Sequence, residues 1–433
     1  EKAYEDKLRG QKGIKLLLKD VHNNIKGSFN DGKFDIKSKP GKDLQSSIDI
    51  FLQNYGESLM KNKRGSIVAL EPSSGEILCL VSSPNYDPNV LVGRERSENY
   101  LILNEDTINK PLFNRAALAQ YPPGSTFKLI NALIGLQEKV IYSGSKYNCD
   151  EGYVYGEEKR KMKCHPHRSP LNLIESISNS CNAYFCNVYR GIIEKYPNTY
   201  EGYDVWRNYV TSFGLGNWLN NDLPTGQKGF VPTANFYDRI YGKNRWKSLT
   251  NLSLSIGQDA LLTTPIQMAN MTAAIANRGY YYTPHIIKSI ENDSIDDRFR
   301  KVIRTMIDSS LFETVINGMQ KVVEDEELGT SNIAKMENIT VCGKTGTAQV
   351  KKITEEEREL DLKTFQIPYE QRDHALYVAF GPYKNPRYAL RVIVEHGGNG
   401  STTAAPMATK LFKLIIDRHK IRESLSNKKY LEI

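Results

Sequence analysis

The chain has 433 residues, a net charge of +8, 39% hydrophobic and 25% charged residues, the make-up of a folded soluble protein. That length asks for one large domain plus an appendage, or two domains. No apolar run approaches the ~18 residues that span a bilayer, and the dispersed lysines carry no nucleic-acid motif, so no nucleic-acid partner is expected.

Residues 1 to about 62 are lysine-rich, and "DGKFDIKSKPGKD" (Asp31 to Asp43) reads as turns and linker. The apolar spacing of Leu44, Ile48, Phe51, Leu52, Tyr55 and Leu59 predicts one helix over Leu44 to Lys61. "SIVALE" and "EILCLVS" then read as strands around the turn "PSSG", and "ALYVAFG" and "YALRVIVEHG" pair in the same way around "PYKNPR". "NITVCGKTG" (Asn338 to Gly346) is a fifth strand. Helices are predicted from Ser125 to about Leu136, Leu171 to Ile192, Pro265 to Ala276, Ser310 to Val323 and about Ala405 to His419. "TEEERELD" (Thr354 to Asp361) is a charged excursion. Strands near both ends with helices between imply an α+β fold: a five-stranded antiparallel sheet flanked by helices, with a helical insert.

"YPPGSTFK" (Tyr121 to Lys128) carries the first chemical signal. A serine with lysine three residues on occurs four times in this chain, but only Ser125 follows a Pro-Pro-Gly stop and opens an apolar helix. Residues i and i+3 share a helix face, so Lys128 can act as base for the Ser125 hydroxyl, which is a poor nucleophile unaided. The free N–H groups of a first helical turn favour a developing negative charge there. A lysine serves as a base when burial or a second cation lowers its pKa. Lys344, in the single "GKTGT" segment (Gly343 to Thr347), supplies such a cation. Ser180-Cys181-Asn182 is the middle element of the three in chain order and lies in a turn-prone "SISNSCN" inside the helical insert.

In this order the three elements resemble the active-site signature of penicillin-binding proteins and serine β-lactamases. "KPGKDLQSSID", "GSIVALEPSSGEILCLVSSPNYDPN" and "SIGQDALLTTPIQMANMTAAIANRG" narrow the resemblance, over about 35 to 415, to class B penicillin-binding proteins. Within these, the double proline before Gly124 and "SIGQ" at Ser255 to Gln258 are more similar to the elongation enzyme, penicillin-binding protein 2, than to its septal relative. The resemblance implies an α/β-sandwich transpeptidase domain over 63–433. Residues 1–62 would be the remnant of an N-terminal pedestal, with a single inner-membrane anchor upstream and the catalytic domain in the periplasm. It implies D,D-transpeptidation of peptidoglycan stem peptides, inhibition by β-lactams, a SEDS-type glycosyltransferase partner in the membrane, and no cofactor for catalysis. Ser125 would be the nucleophile and Lys128 its base, Ser180 a proton relay, Asn182 an orienting group and Lys344 a source of positive field. Thr345, Gly346 and Thr347 would bind substrate. A D,D-carboxypeptidase and a β-lactam-sensing ectodomain share these motifs. A class A β-lactamase needs a deacylating glutamate, and Glu313-Thr-Val-Ile-Asn317 reads as plain helix instead.

Cys149, Cys164, His165 and His167 offer a tetrahedral zinc set, and some elongation-type relatives carry zinc in this region with different spacing. A Cys149–Cys164 disulfide or free thiols are the alternatives. Cys181 and Cys186 read as packing residues, and "EKRKMK" (Glu158 to Lys163) as a solvated face.

Overall fold

The computed structural model describes residues 2–350 and 366–429, so the charged excursion at 354–361 lies outside the described residues. The helices that frame the site run over Ile50–Leu59 (α1), Lys128–Gln137 (α2), Leu173–Asn179 (α3), Asn182–Glu194 (α4), Pro265–Ala276 (α5), Phe312–Glu324 (α6) and Ala404–Lys429 (α7). The main sheet has five strands: Gly65–Leu70 (β1), Ile77–Ser83 (β2), Cys342–Ala348 (β3), His374–Gly381 (β4) and Tyr388–Val394 (β5). Its order is β3-β4-β5-β1-β2, antiparallel throughout. The predicted α+β architecture and the five predicted strands are therefore present.

The sheet is a middle layer. Side chains alternate across a strand, and here both faces are apolar. Val68, Val378 and Ala389 join a core cluster with α5, whereas Ile67, Ala379, Leu390 and Val392 pack in a second cluster with Leu411, Phe412 and Ile415 of α7. Burial on both faces explains why these strands read as continuous hydrophobic runs. Helix α5 matches its predicted bounds. Thr264 caps it in a reciprocal box with Gln267, and Pro265 stands at its first turn, where no N–H is needed.

Two predicted helices are corrected. Leu44–Ser46 is a strand paired with Ile287–Ile290, and α1 starts only at Ile50. The Asp49 carboxylate sets that start by accepting from the N–H groups of Phe51 and Leu52. The predicted helix Leu171 to Ile192 is broken into α3 and α4 by Ser180, which adopts the left-handed conformation at φ 63°, ψ 37°. Asn172 and Glu175 form a capping box at the start of α3, and Cys181 Sγ caps α4 by accepting from the N–H of Tyr184. The expected solvated face at Glu158 to Lys163 contains one strand, Arg160–Lys163, of a hairpin with Gly152–Tyr155. Glu313 lies in α6, where its carboxylate meets Tyr383 and Arg278.

Candidate active site

Ser125 sits in a single 3-10 turn, Gly124–Phe127, that runs into α2. Side chains at i and i+3 eclipse in such a turn, so Ser125 and Lys128 project the same way. Gly124 has φ +56°, and a Cβ there would lie 2.4 Å from the carbonyl oxygen of Thr347. The glycine therefore lets the nucleophile turn dock on β3. Gly257 of the "SIGQ" segment supports it from the other side: Gly124 N–H donates to the Gly257 carbonyl at 2.9 Å, and a Cβ on Gly257 would lie 2.3 Å from the Gly124 oxygen. Gln258 Nε2 donates to the Thr347 carbonyl at 3.1 Å. Asn131, one helical turn beyond Lys128, holds α2 to the same segment through the carbonyls of Leu254 and Ser255 and accepts from Trp206 Nε1 at 2.8 Å.

Lys128 is fully buried. Its Nζ donates to the Ser180 carbonyl at 2.6 Å, Ser180 Oγ at 3.1 Å and Asn182 Oδ1 at 2.6 Å. The break between α3 and α4 thus has a use: it turns the backbone carbonyl and hydroxyl of Ser180 toward one amine. Asn182 is held in turn by its Nδ2, which donates to the Lys163 carbonyl at 2.7 Å. Burial pushes the pKa of Lys128 down to about 8, against a smaller upward pull from Cys164, Cys181 and Cys186. Burial, then the charge of Lys128, pushes Lys344 well below its usual range. The expectation was a charged Lys344 keeping Lys128 neutral. The deeper fall is at Lys344, because that lysine is also fully buried and its Nζ donates to one group among the described residues, the Thr345 carbonyl at 3.2 Å. Burial therefore makes each of the two amines give up its proton more readily than an exposed lysine does.

Ser125, Ser180, Asn182, Thr345, Gly346 and Thr347 line one cleft of about 460 Å³. His165, Thr330, Asn399 and Ser401 complete its wall and were not anticipated there. Thr330 Oγ1 and Thr345 Oγ1 are 3.0 Å apart, which orients the Thr345 hydroxyl. Asn399 and Ser401 come from the glycine-rich loop after β5. Gly400 lets that loop cross β4, since a Cβ there would meet the carbonyl oxygens of Leu376 at 2.3 Å and Gly346 at 2.5 Å. The signal was present in "HGGNGS", a glycine-rich stop directly after a core strand.

Beside the cleft, the ligand atoms of Cys149, Cys164, His167 and Cys181 lie within 4.8 Å of one another. His165 is not one of the four; Cys181, expected to be a packing residue, takes its place. All six cysteines are free thiols, so the disulfide alternative is not formed. The donor set fits a tetrahedral cation. The Sγ atoms of Cys164 and Cys181 are 3.9 Å apart, close to the edge of a zinc–thiolate tetrahedron. His167 Nδ1 bonds the Arg168 carbonyl at 2.7 Å, so Nε2 is the ring nitrogen left to meet a cation. That Nε2 is buried without a hydrogen-bond partner among the described residues. The thiol of Cys181, then the N–H of Ala183 and the charge of Lys128, draw the Cys164 pKa down to about 4, so a thiolate stands ready.

A turn that presents serine and lysine together, a helix break that aims a second serine at the same amine, and a Lys-Thr-Gly edge strand define a serine acyl-transfer type of domain. A family model described as the penicillin binding protein transpeptidase domain matches residues 65–415, and the chain belongs to that family. It is 32% identical over 421 residues to the peptidoglycan D,D-transpeptidase MrdA of Acinetobacter baumannii, covering 95% of this chain and 59% of that protein. It is 30% identical over 425 residues to MrdA of Escherichia coli K12, covering 96% and 63%. The chain therefore spans less than two thirds of the length of these curated relatives. Among solved structures it is similar to Pseudomonas aeruginosa PBP2 in complex with WCK 5153, with a TM-score of 0.74, 31% identity, and 87% of this chain and 76% of that chain covered. The complex of PBP2 with MreC from Helicobacter pylori gives a TM-score of 0.74 at 27% identity, covering 95% and 71%. The resemblance to class B proteins of the penicillin-binding protein 2 type, read from the sequence, holds across most of the chain.

Proposed function

We propose that this chain is the catalytic part of a peptidoglycan D,D-transpeptidase of cell-wall elongation, acylated and inhibited by β-lactams. The observation that carries this is the buried Lys128 amine bonded to both Ser180 and Asn182 at the foot of a cleft lined by Ser125 and by Thr345 to Thr347.

The chemistry follows the proton. A stem peptide ending in D-Ala-D-Ala lies along β3, whose other edge pairs with β4. Its terminal carboxylate favours the charged form of Lys344 and accepts from the Thr345 and Thr347 hydroxyls. Lys128, in the neutral form that burial favours, takes the Ser125 proton as Oγ attacks the carbonyl of the penultimate D-Ala. The N–H groups of Ser125 and Thr347 receive the oxyanion. Lys128 returns its proton through the Ser180 hydroxyl, at 3.1 Å, to the departing D-Ala nitrogen. An amine from a second strand then attacks the ester carbonyl and gives up a proton by the reverse route. The crosslink forms and Ser125 is regenerated.

In this reading 63–433 is the transpeptidase domain and 1–62 the remnant of a pedestal. An anchor in the inner membrane and a periplasmic catalytic domain belong to the same reading; among the described residues no helix is long and apolar enough to cross a membrane. A SEDS-type glycosyltransferase partner is supported by a chain at 26% identity and a TM-score of 0.75 in a solved peptidoglycan synthase complex that coordinates polymerization and crosslinking. The donor set of Cys149, Cys164, His167 and Cys181 supports a structural zinc ion. It would tie the hairpin to the turn between α3 and α4 and supply no step of the reaction.

The reading is tested by incubating the chain with paired donor and acceptor stem peptides. Crosslinked product with release of one D-Ala per link is expected. Free D-Ala without crosslinks would make it a carboxypeptidase, and neither product would make it a sensor.

A further inference from the structure

A guanidinium that forms no ion pair among the described residues lies in the middle of the sheet. Arg391 stands at the centre of β5, opposite Val378 on one side and Val68 on the other. It is 2% exposed. Leu390 and Val392 face α7, while Ala389 faces α5, so alternation along the strand turns Arg391 toward α5. Among the described residues neither its Nε nor its Nη1 has a hydrogen-bond partner. Ser66 on β1 lies opposite Ile393, diagonal to Arg391 on the same face and within reach of a long side chain. Its Oγ is also buried without a partner among the described residues.

The nearby carboxylate is already taken. Glu395, just beyond β5, accepts from Arg115 Nε at 3.0 Å and from the Tyr121 hydroxyl at 2.6 Å, and Arg64 Nε stands 3.8 Å from its other oxygen. The orphaned atoms share one character. Nε and Nη1 only donate, and a serine hydroxyl rotates to donate. A water molecule among them would need acceptors for its own two protons. A monoatomic anion needs none, and it also balances the buried charge, which is costly when unpaired. Burial pulls Arg391 down to about 9 against a smaller upward pull from Tyr121, in keeping with a charge that lacks a carboxylate beside it among the described residues.

We propose that Arg391 and Ser66 form an internal halide site, filled by chloride, between the sheet and α5. The ion sits behind Tyr121, whose hydroxyl feels the charge of Arg391 and which leads directly into Pro122, Pro123 and the nucleophile turn. Binding only to the folded chain, it stabilises that layer by mass action.

Crystals of the intact chain grown with bromide in place of chloride give the first test. An anomalous peak within hydrogen-bond distance of Arg391 Nε and Ser66 Oγ is expected; density with no anomalous signal, meaning water only, overturns the proposal. The second test is melting temperature against sodium chloride, with sodium gluconate holding ionic strength constant. A saturable rise of about 2 °C or more is expected, absent in Arg391→Met. An equal rise in Arg391→Met overturns the proposal, and should that variant not fold, the bromide map decides alone.

Discussion

Raising the pH from 7 to 9 should speed acylation of Ser125 by about tenfold, because Lys128 must lose its proton before it can take one from the serine. Burial places Lys128 at about 8. With that value, roughly 10% of the Lys128 amines are neutral at pH 7 and roughly 90% at pH 9. The second-order rate constant of a fluorescent penicillin, followed from pH 6 to 10 at constant ionic strength, measures this directly. Lys344→Gln should be slower throughout, because it removes a donor beside the substrate carboxylate, yet its rate should climb over the same interval, because the Lys128 base remains. A wild-type rate that stays flat or falls between pH 7 and 9 would refute the reasoning.

Gly257→Ala should slow acylation by about 100-fold while the circular dichroism stays native, since the added Cβ would lie 2.3 Å from the Gly124 oxygen and displace the Ser125 turn. Asn131→Ala removes three buried hydrogen bonds between α2, the "SIGQ" segment and Trp206, and should cost about 3 kcal/mol in denaturant unfolding. Protein purified without added metal should carry close to one zinc per chain by mass spectrometry of metals. Cys181→Ser should lose most of it, whereas His165→Ala should keep it.

The sheet was legible because its strands are buried on both faces and bounded by turn residues, so each reads as one apolar run. Helix α5 was legible to the residue because Thr264, Pro265 and Gln267 write its start into the chain. The strand at Leu44–Ser46 was not, because its partner, Ile287–Ile290, is remote in sequence and the apolar spacing continues through the true N-cap at Asp49. The break at Ser180 showed only as the turn-prone "SISNSCN", and the predicted helix ran through it for a related reason. Leu173, Ile177, Cys181 and Tyr184 are all buried, so the helical pattern runs on while the backbone does not. That break turns Ser180 toward Lys128, a case of the local rule failing at the candidate site. The three motifs could be read from residue type and order. The metal-ligand set could be read only in part, because "CHPHR" does not say which histidine turns inward, and Cys181 meets Cys149 and Cys164 only in the folded chain. Asn399 and Ser401 carried no periodic signal and reach the cleft because glycine lets their loop cross β4.

Intact-protein mass spectrometry after brief exposure to benzylpenicillin, followed by peptide mapping, puts the most direct question to this site. One adduct per chain on the peptide containing Ser125, abolished in Ser125→Ala, is the outcome a primed serine requires. An adduct on any other residue, or one that persists after that substitution, would mean that the alcohol beside Lys128 is not where the chemistry begins.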